Sequence, residues 1–428
     1  MIAGFGYRRV AATGLRYRTF HSSSAMFALS QRQMEIVKST APVLADHGIA
    51  ITSHFYKRML QNRPELKNIF NIAHQETGAQ PAALAHAVWA YASNIDDLGA
   101  LTTAVSRIGN RHASLGVTAD QYTIVGEYLL ASIKEVLGSA VDEPVMDAWK
   151  AAYQQLAGIF IDFEKGLYDK AIHTPGGWNG WRQFRVARKL RESGEIISFH
   201  LAPSDGKALP AFRPGQFVSV RCYVPELGVY QPRQYSLSDI PNGDHFRISV
   251  KREFAAASKP AGRISNVLHE TIPQGSLLDV SMPFGDFTLD INADTPVVLI
   301  SGGVGLTPMM SMLKTIVEQG KSRSVLFIHA VRNRSVHAMN KDLSEIVSQN
   351  PQVSRMVFYE ELTLGDVKGF DYDYIGRINV KDLKDKVLSP NADYYVCGPI
   401  PFMSAQREDL ESLGVPPDRI HSEVFGAS

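Results

Sequence analysis

Across residues 174–180, Thr-Pro-Gly-Gly-Trp-Asn-Gly, the chain changes its hydrophobic period, and no single layered core accommodates both sides of that change. Before it, apolar residues recur at helical spacing. Leu101, Val105, Ile108, His112 and Leu115 fall at i, i+4, i+7, i+11 and i+14, on one face of a helix. Thr118 with Gln121 three residues later reads as a capping box that opens the next helix, the one carrying Tyr122. No β-rich run interrupts this part, so an all-α domain is expected over residues 26–173, with 174–180 as linker. After the linker, strand-like runs at 196–201, 216–220 and 245–250 are separated by Pro and Gly turns, the pattern of a small antiparallel barrel over 181–293. From 294 to 428, apolar strands at 297–300, 325–330, 356–359 and 394–397 alternate with helices, which predicts an open parallel α/β sheet. A multidomain chain is also what 428 residues imply.

The N-terminus differs from the rest. Residues 1–34 contain no Asp or Glu, whereas Arg8, Arg9, Arg16, Arg18 and Arg32 are positive and Ser22, Ser23 and Ser24 form a run. That is the profile of a mitochondrial transit peptide, expected over residues 1–25, and a basic extension without a targeting role has the same composition. Arg18-Thr19-Phe20 before His21-Ser22 resembles a matrix-processing site. Met26 is available as a second start that would yield a cytosolic product. A formal net charge of +1 makes no electrostatic case for a nucleic-acid partner, and no uncharged apolar run is long enough to span a bilayer. Two cysteines, Cys222 and Cys397, cannot build a disulfide framework or a cysteine metal cluster.

His112 lies on the apolar face of its helix, a position that suits a hydrogen-bonded core histidine as well as a metal ligand. His54 and His86 fall off the faces shared by Tyr56, Gln80 and Leu84. Further on, Arg213-Pro214-Gly215-Gln216-Phe217, Arg233-Gln234-Tyr235-Ser236 and Gly262-Arg263-Ile264-Ser265-Asn266 follow one another. Backbone amides after Gly262, opening a helix through Leu268, can receive a pyrophosphate. Ser301-Gly302-Gly303-Val304-Gly305-Leu306-Thr307-Pro308 follows a strand and precedes a helix to Glu318. Its glycines let backbone amides approach phosphates, and Pro308 suits a first helical turn. Cys397-Gly398-Pro399 ends a later strand.

The segments 51–56, 64–70, 78–80 and 89–94 together closely resemble the globin domain of flavohaemoglobins, over nearly all of residues 30–170. The resemblance implies haem b with His112 as its proximal iron ligand, Phe70 packed against it, and Tyr56, Gln80 and Leu84 lining the oxygen side. A Tyr hydroxyl and a Gln amide supply hydrogen-bond donors, and Leu84 keeps the pocket dry and narrow. Tyr122 and Glu164 match the family's pair against the proximal histidine, where a carboxylate on the far ring nitrogen strengthens electron donation to iron. The later motifs resemble reductases of ferredoxin-reductase type. They imply Arg233 on the FAD phosphates, Tyr235 packed on the isoalloxazine and Ser236 on its polar atoms, with Gln234, Phe217, Gly262 and Ser265 in the same site. The 302–308 loop and Cys397, Gly398 and Pro399 would hold NAD(P)H. Val424, Phe425 and Gly426 resemble the family's last strand, with Phe425 covering the flavin. Three departures stand out: Phe217 and Val424 replace the common Tyr and Cys, and Arg111 replaces a Lys that meets an acid, here Glu423, at the haem–flavin interface.

What the resemblance implies is an oxidoreductase, a nitric oxide dioxygenase. NAD(P)H would reduce FAD in a two-electron step, FAD would pass single electrons to haem, and O2 and NO would become nitrate. A monomer with no obligate protein partner is expected. Two other classes remain open: a reductase acting on oxygen or peroxides would not need His112 or Tyr56, and an O2 or NO sensor globin would not need 302–308, 233–236 or Cys397. Arg332 and Arg334 follow a strand, either receiving a 2′-phosphate or simply solvated, so NADH and NADPH both stay open.

Overall fold

The computed structural model describes residues 28–255, 260–320 and 322–426; the leader expected at 1–25, and Met26, lie outside them. The helical part opens with α1 (Gln31–Asn62), started by a capping box between Ser30 and Gln33. A 3-10 turn (Pro64–Asn68) and the short α2 (Ile72–Glu76) lead into α3 (Ala79–Ser93). Then come α4 (Thr102–Leu115), α5 (Ala119–Leu137) and α6 (Glu143–His173). The expected Thr118–Gln121 box does open α5. Phe55 and Met59 of α1, Tyr91 of α3, Leu129 of α5 and Trp149 of α6 meet in one core.

Helix α4 carries His112, and its apolar face packs through Val105 and Ile108 onto Ile159 and Phe160 of α6. The crossing is close. A Cβ at Gly109 would stand 2.4 Å from the Phe163 ring, so only glycine allows this approach. Because Glu164 follows Phe163, the same contact sets how near that carboxylate comes to His112.

The second part is a six-stranded antiparallel sheet in the order β4-β3-β6-β1-β2-β5. Its strands are β1 (Trp181–Arg191), β2 (Ile196–Pro203), β3 (Phe217–Val224), β4 (Val229–Ser236), β5 (Phe246–Lys251) and β6 (Leu277–Ser281). A bridge between Leu237 and Ile248 closes it into a barrel. The interior is filled by Phe184, Phe199, Val218, Val220 and Ile248, and α7 (Arg263–Glu270) covers it with Ile264 and Leu268.

The third part is an all-parallel sheet ordered β10-β9-β8-β7-β11-β12. In chain order it runs β7 (Val297–Gly302), α8 (Leu306–Glu318), β8 (Val325–Val331), α9 (Asn340–Gln349), β9 (Val353–Tyr359), β10 (Tyr374–Ile375), β11 (Asp393–Cys397) and β12 (Ile420–Glu423). Helices bury both faces of its central strands, which is why they read as unbroken apolar runs. β7 lies between β8 and β11, so the winding reverses there and opens a crevice at the strands' carboxyl ends.

Replacing Gly109 by Ala is expected to cost about 1–3 kcal/mol by overpacking α4 against α6. Denaturant unfolding measures this; an unchanged midpoint would remove the close-crossing account.

Candidate active site at the globin–reductase junction

His112 Nδ1 lies 2.8 Å from the Tyr122 hydroxyl and 2.8 Å from Glu164 Oε1. Tyr122 donates to the same carboxylate oxygen at 2.5 Å. Glu164 is only 2% exposed, so these bonds are what make its burial tolerable. Burial and the adjacent Glu164 carboxylate both push the Tyr122 phenol well up, which keeps it a donor. With Nδ1 engaged, Nε2 is the nitrogen of His112 left for iron. One imidazole backed by a buried carboxylate is a donor set that fits haem.

On the oxygen side, Tyr56 is buried on α1 and meets the Phe70 ring edge-on at 5.6 Å. A cavity of about 440 Å³ opens beside it, lined also by Leu60, Gln75 and Pro81. Gln80 and Leu84 sit on α3, with Leu84 packed on the globin core. His54 pairs with Glu135 at 2.7 Å and His86 is exposed beside Trp89, so neither joins this group.

The barrel brings Arg233, Gln234, Tyr235 and Ser236 together on β4, paired in register with β3, where Phe217 stands opposite Ser236. Burial lowers the pKa of the Arg233 guanidinium, and the positive charge of Arg263 works in the same direction. Arg263 begins α7, and its Nη1 is buried without a partner while Nη2 bonds Glu76 at 2.9 Å. A bound diphosphate would offset both penalties, so the residues fit FAD. The motif expectation passed over Arg263, although a basic residue directly after Gly262 was visible. The Ser265 hydroxyl is already engaged, accepting from Glu253 N and donating to Gly262 O, each at 3.1 Å. Phe217 packs with Phe284, Met282 and the globin residues Ala113 and Ala171. Its ring therefore covers the junction between the domains.

Gly302 and Cys397 end the adjacent strands β7 and β11, so the 302–308 loop and Cys397-Gly398-Pro399 face the same crevice. A Cβ at Gly305 would lie 2.2 Å from the Cys397 carbonyl oxygen, which holds the two segments together. Thr307 Oγ1 donates to Val304 O at 3.0 Å, and Leu306 and Pro308 are buried in the first turn of α8. The Cys397 thiol is fully buried, its pKa pushed well up by that burial, and it donates to Glu423 O at 3.5 Å. Arg332 pairs with Glu195, and Arg334 lies 3.4 Å from Asp371.

The sites are joined through the polar face of α4. Arg111 donates to Val424 O at 2.6 Å and Gly426 O at 2.8 Å, with its Nη2 3.8 Å from Glu423 Oε1. Phe425, between those two carbonyls, is 40% exposed. Asn110 Oδ1 accepts from Gly285 N at 2.9 Å, and Ser106 donates to Asp286 at 2.5 Å. Ser219 donates to Ser114 at 2.8 Å and accepts from Gln234 at 3.2 Å, which ties the His112 helix to the flavin motif. A second clamp is Gln231 of β4, accepting from Ile72 N at 3.0 Å and donating to the carbonyls of Lys67 (2.6 Å) and Phe70 (3.2 Å).

A globin bonded along one helix to a flavin and nicotinamide reductase is the construction of a haem-flavin oxidoreductase. Residues 53–160 match the Globin family and residues 299–408 the Oxidoreductase NAD-binding domain family. The flavohemoprotein of Bordetella pertussis is 54% identical over 399 residues, covering 93% of this chain and 98% of that one. That of Rhizobium meliloti is 52% identical over 398 residues, with the same coverage of 93% and 98%. The crystal structure of a flavohemoglobin from Malassezia yamatoensis with bound FAD and heme aligns with a TM-score of 0.82 at 28% identity, covering 93% of this chain and all of that one. The FAD/NAD binding domain of nitric oxide dioxygenase from Vibrio cholerae aligns at 35% identity and TM-score 0.52, over 57% of this chain and 98% of that one. The chain belongs to the flavohaemoglobin family, whose cofactors are haem, FAD and NAD(P)H.

His112→Ala is expected to lose haem, read as loss of Soret absorption after purification; a retained band would remove the ligand assignment. Burial also holds the Glu423 carboxyl up to about 7, against the pull of Arg111. Its folded pKa lies above the ordinary 4.5, so between those values the native protein holds more protons than the unfolded chain. Stability from this group is therefore present below about pH 4.5 and is lost as pH rises through about 7. Glu423→Gln should flatten the fall in unfolding free energy between pH 5 and pH 8, and an unchanged slope counts against this assignment.

Proposed function

We infer that the protein is a nitric oxide dioxygenase, converting NO and O2 to nitrate with electrons from NAD(P)H. The observation that carries this reading is the His112–Glu164–Tyr122 cluster in a globin hydrogen-bonded to a flavin motif. When bound, the nicotinamide gives electrons in pairs, FAD divides them, and haem iron uses them singly on oxygen. Among the chain's own residues, Glu164 and Tyr122 hold His112 in one tautomer and orientation and make it a stronger donor. Tyr56 and Gln80 offer hydrogen-bond donors on the oxygen side, and Leu84 excludes water. Arg233 and Arg263 would hold the FAD diphosphate, Tyr235 and Phe425 would pack on its ring, and the 302–308 loop with Gly398 and Pro399 would receive NAD(P)H.

A reductase alone would leave the Glu164 burial without a purpose, and a sensor globin would leave the whole of 181–426 without one. We place the protein in defence against nitrosative stress, working as a monomer on small molecules. Residues 1–25 direct it to the mitochondrial matrix, and initiation at Met26 gives a cytosolic form. The acid-free, Arg- and Ser-containing composition supports this delivery. Among the described residues no helix is long and apolar enough to cross a membrane.

The test is anaerobic reduction by NADH or NADPH, followed by oxygen and NO with nitrate measured. Stoichiometric nitrate is expected; reduced haem without rapid nitrate formation would overturn the dioxygenase reading. Tyr56→Phe should release oxygen faster while haem reduction by NAD(P)H is unchanged. Deletion of residues 1–25 from a fluorescent fusion should abolish mitochondrial import, and import without them would sink the leader assignment.

A further inference from the structure

The globin also reaches the flavin motif through the segment 68–76, away from α4. Asn68 Oδ1 accepts from Tyr230 N at 2.9 Å, and Gln231 Oε1 accepts from Ile72 N at 3.0 Å, so the segment is tied to β4 at two points. It brings Glu76, the last residue of α2, to Arg263, the first residue of α7. There Glu76 Oε1 accepts from Arg263 Nη2 at 2.9 Å. Both side chains are partly exposed, and an ion pair of that kind contributes little to stability by itself. The rest of the guanidinium gives the pair its meaning. Arg263 Nη1 is buried and has no hydrogen-bond partner among the described residues. The group is planar and its donors form a rigid fork, so a carboxylate that holds Nη2 also fixes where Nη1 points.

We propose that Glu76 is a positioning residue for FAD: this globin carboxylate holds the Arg263 fork with Nη1 presented to the cofactor's diphosphate, which rests on the reading of Arg233 and Arg263 as the diphosphate residues. The fork can serve both at once, because Nη2 keeps the carboxylate while Nη1 stays open to an anion. Without Glu76 the guanidinium is free to turn toward water, where its donors are satisfied at no cost. FAD affinity therefore depends on a residue of the globin, although the binding motif lies wholly in the reductase. A carboxylate near a diphosphate also repels it, so the sign of the Glu76 effect separates orienting from competing.

The test uses the full-length, haem-loaded protein stripped of flavin and titrated with FAD, with flavin fluorescence as the readout of Kd. Arg263→Gln should weaken binding about 10-fold or more, the scale of a hydrogen bond to a charged group. Glu76→Gln should weaken it about 2–5-fold at unchanged haem content, the scale of one partly exposed ion pair. In the Arg263→Gln background, Glu76→Gln should change nothing further. If Arg263→Gln weakens binding while Glu76→Gln leaves it unchanged or tighter, the carboxylate is a spectator or a competitor and the proposal is overturned. A Glu76 effect that persists without the Arg263 guanidinium overturns it too, since Glu76 would then act through domain docking alone. FAD binding indifferent to Arg263→Gln sinks the diphosphate reading itself, and the role of Glu76 with it.

Discussion

Helix α4 is buried on both of its faces, and each makes a different demand. The apolar face, through Val105 and Ile108, belongs to the globin and delivers His112. The opposite face is polar, yet Ser106, Asn110 and Ser114 are each less than a tenth exposed. Burying short polar side chains is tolerable only when each is hydrogen-bonded, and here the partners come from the reductase. His112 is thus fixed relative to the 233–236 motif by the satisfaction of polar groups on α4 together with the apolar packing of Ala113 against Phe217, Met282 and Phe284. Electron transfer between separate cofactors depends on such a fixed relation, and one helix supplies it.

Much of the architecture was legible because it rests on periodicity. The α/β strands read as apolar runs since both faces are covered, and the α5 capping box was plain in Thr118 and Gln121. β1 was missed: its Arg residues interrupt the apolar alternation, and a register shift lies between Val186 and Arg188. β10 is two residues long and offers no period at all. Residues assigned to the cofactors through a recurrent motif were easily named, and the structure brings His112, Tyr122 and Glu164 together from three helices.

Of the residues that hold the parts in relation, Arg111 and Glu423 were named through the resemblance and the others were not legible. Asn110, Ser114 and Gln231 look like ordinary surface polar residues, because the surface they meet is formed by chain more than a hundred positions away. A faint signal existed. The polar face of α4 carries Ser106, Asn110 and Ser114, small uncharged groups where a solvated helix would favour Lys and Glu. Arg263 was in plain view after Gly262, but its role shows only in the structure, as a buried Nη1 with nothing to bond.

The way Arg111 grips the C-terminal segment has a consequence for how this family can vary. Two of its hydrogen bonds go to the main-chain oxygens of Val424 and Gly426, atoms that every residue type presents alike. The contact therefore reads the course of the tail and is blind to its lettering. A Val can stand at 424 without disturbing the junction, whereas a shift of the backbone by one residue would break it.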